Sequence, residues 1–173
     1  VTVYGARQLM TALEEFLEDE TNGFNATMAA LFSAEAYPGV RAWQSWDYAP
    51  QKAQAFPYCS RVVQSMGAQT ANNSRLYVYS VDLDFLLLQK DFGQVRGGTN
   101  GAAWAYSDTL QEMINRRQND AWGSTLNNGG STLPGRVRDA ELASVTFGRE
   151  RTMIDQGNAV VSCTLAIAVA KEF

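Results

Sequence analysis

Residues 159–170 run Ala-Val-Val-Ser-Cys-Thr-Leu-Ala-Ile-Ala-Val-Ala, and no other stretch limits the fold so tightly. Val161, Cys163, Leu165, Ile167 and Val169 fall on one face at strict period two, and Val160, Ser162, Thr164, Ala166, Ala168 and Ala170 on the other. That alternation belongs to a β-strand. A buried helix also tolerates an apolar run, but the β-branched content favours a strand. Immediately before it, Asp155-Gln156-Gly157-Asn158 is a cluster of turn formers, suited to positive φ angles. Before that, residues 136–154 read as a long strand carrying charge at both ends. The segment is therefore a β-hairpin. Its large face implies a packed core behind it, and its small face implies something close in front.

At 173 residues the chain suits one domain able to bury its own core. It holds no apolar run near the roughly 20 residues of a membrane span, and residues 1–20 show no basic-then-apolar export pattern. Histidine is absent, which removes the usual general base and the commonest metal ligand. Cys59 and Cys163 sit in apolar, strand-like runs and read as small hydrophobes that pair only if their strands are neighbours. The sequons at Asn25 and Asn72 carry no weight without secretion. A net charge of −4 opposes general nucleic-acid binding, although a channel through which DNA slides would itself avoid strong phosphate contacts.

In chain order, residues 4–20 predict an amphipathic helix with Leu9, Met10, Leu13, Phe16 and Leu17 inward. Its acids crowd the C-terminal end, where the helix dipole prefers cations, so they form either a solvated surface or a face for a basic partner. Residues 24–37 predict a second short helix with Met28, Leu31 and Phe32 inward, stopped by Pro38-Gly39. Trp43, Trp46 and Tyr48 then cluster on an extended segment, as packing aromatics or as an interface. Residues 58–66 predict a strand, residues 67–74 a loop or hairpin connection, and residues 76–89 a second strong strand. That strand puts Tyr77, Tyr79, Val81, Leu83, Phe85 and Leu87 on one face and Val78, Ser80, Asp82 and Asp84 on the other, with both faces covered at residues 85–88. Asp82 and Asp84 point one way, as a catalytic or metal pair would, yet no further oxygen ligand follows at a recognisable spacing, so a wetted sheet face is the better reading.

The glycine-rich residues 91–101 lie between a strand and a helix, but lack the lysine of a P-loop and the glycine spacing of a dinucleotide cradle. They read as a mobile loop. Residues 102–118 predict a third helix with Trp104, Leu110, Met113 and Ile114 inward and Ser107, Asp108, Gln111, Asn115 and Arg116 outward. Residues 119–135, rich in Asn, Gly, Ser and Thr around Trp122, exceed the usual connection length and read as a second flexible segment. The prediction is one α+β domain over residues 1–173: an antiparallel β-sheet with a long C-terminal hairpin, packed against two or three helices on one face.

This order of elements, in residues 9–20, 76–90, 104–117 and 137–169, resembles the tail terminator or tail-completion (neck) proteins of long-tailed bacteriophages. The likeness is one of layout and covers most of the chain. It implies a structural virion protein without catalysis, cofactor or metal: a homohexameric ring at the head-proximal end of the tail tube, assembled in the bacterial host cytoplasm. Such a ring binds copies of itself, the tail tube protein and neck or connector proteins, and lets DNA pass transiently and non-specifically through its lumen. Asp82, Asp84, Asp139 and Glu141 then become candidates for an acidic lumen face, and Trp43, Trp46, Tyr48 and Trp122 for interfaces. The alternatives are another neck component (a head-completion or connector-adaptor protein), a monomeric binding module using the Trp43–Tyr48 aromatics, and a carboxylate-dependent hydrolase using Asp82 and Asp84 with Asp139 or Glu141.

Overall fold

A computed structural model describes residues 5–45, 57–71, 74–88, 102–119, 135–148 and 158–172. Their elements, in order, are α1 (Ala6–Glu18), α2 (Phe24–Leu31), β1 (Ala42–Ser45), β2 (Tyr58–Ala71), β3 (Ser74–Leu88), α3 (Ala102–Asn119), β4 (Gly135–Gly148) and β5 (Asn158–Glu172). The five strands form one sheet in the order β1-β2-β3-β5-β4. The α+β architecture and the paired C-terminal strands are as the sequence predicts. The turn residues between β4 and β5 lie outside the described residues, as do most of the predicted flexible segments at 91–101 and 119–135.

The alternation in β5 sorts the sheet's two faces. Val161, Cys163, Leu165, Ile167 and Val169 are all buried, together with Tyr79, Val81, Leu83, Phe85 and Leu87 of β3. Register places Leu83 opposite Cys163 and Val81 opposite Leu165, so this is one continuous apolar face. Against it lie Leu9, Leu13, Phe16 and Leu17 of α1, Phe24 and Met28 of α2, and Tyr106, Leu110, Met113 and Ile114 of α3, in a single hydrophobic cluster. At its centre Phe85 stacks on Phe24 with ring centroids 5.0 Å apart, and contacts Tyr106 at 5.0 Å. Leu86, on the opposite face, is buried with Tyr58, so both faces are indeed covered at that end.

Four departures from the predicted elements stand out. The first is β1, which pairs parallel with β2 (Trp43 opposite Cys59) and makes the sheet mixed. A strand this short leaves too little alternation to read. It is held by long-range polar contacts: the Asn25 amide both donates to the Val40 carbonyl (2.8 Å) and accepts from its N–H (2.7 Å), while the Tyr106 hydroxyl donates to the Pro38 carbonyl (2.5 Å). Second, β2 continues to Ala71, through residues read as a connection, because the ladder to β3 runs on to Ala71 opposite Ser74. Third, the inward stripe of α3 runs through Tyr106, Leu110, Met113 and Ile114, leaving Trp104 on another side, 51% exposed. Ser107 is buried rather than outward, its hydroxyl donating to the Trp104 carbonyl at 2.9 Å. In α2 the helix ends at Leu31, which is 43% exposed, while Thr27 takes an inward position.

The turn from α1 to α2 depends on Gly23. A Cβ there would lie 2.3 Å from the Asp19 carbonyl oxygen and 2.6 Å from that of Leu17, both backbone atoms. Gly23→Ala is therefore expected to destabilise the protein by about 2 kcal/mol or more, within the range of overpacking. Urea unfolding measures this, and a loss below about 0.5 kcal/mol, typical of neutral surface changes, would show that the turn opens freely.

Candidate functional site

The face of the sheet opposite the helices carries the predicted acids. β3 presents Asp82 and Asp84 there, paired through β2 with Val62 and Ser60 and through β5 with Thr164 and Ser162. β4 presents Asp139 opposite Ala168 and Glu141 opposite Ala166, on the same face. Bulges between Val137 and Asp139 and between Leu142 and Ser144 make this possible: each extra residue resets the alternation, so that Val137, Ala140, Leu142 and Val145 all pack toward the core. Small side chains on β5 keep the face low between the two acidic strands. Asp82 and Asp84 stand half-buried, whereas Asp139 and Glu141 are exposed.

Each β3 acid is held by a hydroxyl of β5. Ser162 Oγ donates to Asp84 Oδ1 at 2.6 Å, and Thr164 Oγ1 donates to Asp82 Oδ1 at 2.7 Å. Burial pushes the Asp84 carboxyl above the ordinary carboxylate range; the Ser162 hydrogen bond opposes this and the neighbouring Asp82 adds to it. A folded-state pKa above the unfolded one means that the folded chain holds the proton more tightly. Stability therefore falls as pH rises from the ordinary carboxylate range through the raised value, and returns on acidification. Asp84→Asn, which can still accept from Ser162, is expected to stabilise the fold at neutral pH by up to about 1 kcal/mol, since solvent screens a group of this exposure. Urea unfolding at about pH 7 and about pH 3, either side of the aspartate range, should show the gain only at the higher pH. An equal gain at both would exclude a titration effect.

These four acids share a surface but do not converge. β3 and β4 are separated by β5, which sets their backbones about 10 Å apart, and the two pairs are offset along the strands. Among the described residues no group of three or more His, Cys, Asp or Glu side chains is placed to hold a metal ion. A cleft of about 390 Å3 opens elsewhere, on the helix side between the start of α1 and the β2–β3 pair, lined by Gly5, Ala6, Val63, Met66, Tyr77 and Tyr79 among others. None of its lining side chains is a carboxylate. The convergence in a pocket that a hydrolase using Asp82 and Asp84 needs is thus not the geometry of these acids.

Of the candidate interface aromatics, Trp43 is half-buried on β1 with its ring edge-on to Phe24 (5.9 Å) and Phe85 (6.5 Å). Trp46, Tyr48 and Trp122 lie outside the described residues. The Arg61 guanidinium sits 5.7 Å from the Trp43 ring centroid. Arg61 is buried at 2% exposure and ion-pairs with Glu18 at the end of α1. That pair went unread because an arginine at a core position is invisible to alternation alone. It accounts for one of the acids at the unfavourable end of the helix. Asp19 accounts for another, accepting from the Thr21 and Asn22 N–H groups at 2.9 and 2.5 Å.

Cys59 and Cys163 are free, both buried on the core face. β3 lies between their strands: Cys59 is opposite Phe85 and Cys163 opposite Leu83. They are not neighbours and do not pair. Burial raises both thiols, Cys163 to about 12, so neither offers a thiolate nucleophile near neutrality.

No helix among the described residues is long and apolar enough to cross a membrane. No protein-family model matches the chain, and no curated protein matches its sequence. Solved structures do match. One is a chain in the structure described as "Virion of native gene transfer agent (GTA) particle", with a TM-score of 0.52 and 10% sequence identity, covering 94% of this chain and 93% of that one. At that identity the likeness is one of fold, and it extends over nearly the whole of both chains.

Proposed function

We propose that this chain is a structural protein of a phage-like virion, and within it a tail terminator: a homohexameric ring on the head-proximal end of the tail tube. The observation carrying the reading is the near end-to-end fold match with a chain of a virion particle. An isolated shared motif would leave the ends of one chain unmatched. The open sheet face supports the finer assignment. Its acids are separated by Ser80, Ser162, Thr164, Ala166 and Ala168, so the surface between them is low and uncharged. Such a surface repels phosphate and offers passing DNA nothing to grip, as a conduit requires. The ring's partners are copies of itself, the tail tube beneath and neck or connector proteins above. No cofactor or chemistry is assigned.

Asp82→Lys with Asp84→Lys tests this. Both side chains are half-buried on the open face of the sheet, and the long lysine stem can carry its ammonium out to solvent, so the double variant should fold and assemble, yet it would line the conduit with cations. Phage particles carrying it are expected to be complete by electron microscopy and to lose infectivity at least about tenfold, as phosphates are held rather than released. Asp82→Asn with Asp84→Asn should be close to wild type. Unchanged infectivity of the lysine variant would mean that this face does not meet DNA.

A further inference from the structure

The second half of β2 is unusual for a strand. Residues 64–70, Gln-Ser-Met-Gly-Ala-Gln-Thr, are all exposed, on both faces of the sheet. β1 lies along the outer edge of β2 only at residues 58–61, so among the described residues positions 62–71 have β3 as their one strand partner. Edge strands are usually guarded by charge or proline; residues 62–71, Val-Val-Gln-Ser-Met-Gly-Ala-Gln-Thr-Ala, have neither. A Cβ built on Gly67 would meet nothing within 4 Å, so no neighbour lies over the strand there. On the helix side, Met66 and Ala68 share a face with Tyr79 and Tyr77, their partners on β3. Met66 is 52% exposed and lines the cleft at the start of α1 with both tyrosines. Apolar surface thus continues from the cleft to the edge.

We propose that residues 62–71 of β2 pair with the same edge of a second copy, antiparallel about a two-fold axis normal to the sheet. That axis reverses strand direction, giving the more stable antiparallel ladder, and keeps both helix layers on one side and both acidic faces on the other. In such an isologous contact the same patch meets itself, so a charge on the edge would face its like and repel it. An edge without charge suits this partner above any other. Charged groups do flank it. β3 places Arg75 opposite Thr70 and Asp82 opposite Val62, and Arg7, exposed in the first turn of α1, belongs to the helix layer rather than the strand. Arg75 and Asp82 lie one strand in from the edge, so three strand spacings, about 14 Å, separate β3 from its copy. That exceeds the screening length of about 10 Å at 0.1 M salt. An isologous contact joins two copies and stops. The pairing is therefore separate from whatever closes the ring proposed above: it makes pairs of subunits, or of rings.

Ala68→Lys with Gln69→Lys puts one cation on each face of the edge, at exposed positions, and should abolish the pairing. Native mass spectrometry of the purified chain without tail tubes should give the wild type twice the mass of this variant, as dimer against monomer or double ring against single ring. Single cysteines placed in turn at positions 66–70 should cross-link two copies on mild oxidation, most strongly at the residue on the axis and falling away on either side. Cys59 and Cys163 are buried and do not compete. Circular dichroism checks that the variant folds. If it does not, hydrogen exchange on the wild type at rising concentration replaces it, and should show protection growing at residues 64–71. Equal masses for wild type and folded variant, or exchange at residues 64–71 that ignores concentration, would overturn the edge contact. A six-fold ring that neither doubles nor cross-links would overturn it and leave the ring reading standing. Dimers that never form a ring, with or without tubes, would do the reverse.

Discussion

Glu18→Ala is expected to lower the unfolding free energy by about 2 kcal/mol, less than the roughly 3–5 kcal/mol of a wholly buried ion pair, because the Glu18 side chain is 31% exposed. Arg61 is 2% exposed, pairs with Glu18 and lies over Trp43. Removing the carboxylate takes the Glu18 counter-charge from a guanidinium that stays buried between α1 and the sheet. The pair itself need not be strongly stabilising. Arg61→Met combined with Glu18→Ala removes both charges and should recover most of the loss, because apolar replacement of a buried pair is often neutral or better. Urea unfolding of the two single variants and the double variant closes the cycle. If Glu18→Ala came within about 0.5 kcal/mol of the wild type, the level of an ordinary surface change, this contact would not anchor α1.

Phe85→Ala should cost about 3–5 kcal/mol, the range for truncating a buried aromatic. Phe85 is fully buried at the middle of β3 and touches Phe24 of α2, Tyr106 of α3 and Trp43 of β1. Those contacts join two helices and the parallel edge strand to the sheet, so the cavity has no flexible wall to collapse it. Phe85→Leu keeps much of the volume and should cost less than about 1.5 kcal/mol. Comparable losses for the two variants would mean that ring packing is not what closes the core here.

Periodicity reached as far as burial imposes it. β5 and β3 lie centrally, with one face buried along most of its length, so a shift of one residue would turn their apolar side chains outward. Their inward sets were legible residue by residue. β4 was harder, since two bulges break its alternation, and Asp139 and Glu141 share the acidic face only because of them. Residues 67–70 escaped because an exposed strand has no face for hydrophobicity to mark. β1 escaped because it is fixed by Asn25, 15 positions away in the sequence from the Val40 it holds, and by the Arg41 N–H donating to the Pro57 carbonyl (2.8 Å). Asp82 and Asp84 were found as a pair, but their hydroxyl partners Ser162 and Thr164 follow from register, which only the folded sheet supplies. Trp104 and Ser107 were misplaced for a simpler reason: the inward stripe of α3 is set by Tyr106, whose hydroxyl finds Pro38 across the fold.

The central claim is that copies of this chain build a ring on a tail tube. The most direct test is the mass and symmetry of the purified protein, by native mass spectrometry and stained electron micrographs, alone and mixed with tail tubes. The account predicts a six-fold ring, either free or seated at one end of each tube. A protein that stays monomeric and never joins a tube would contradict it.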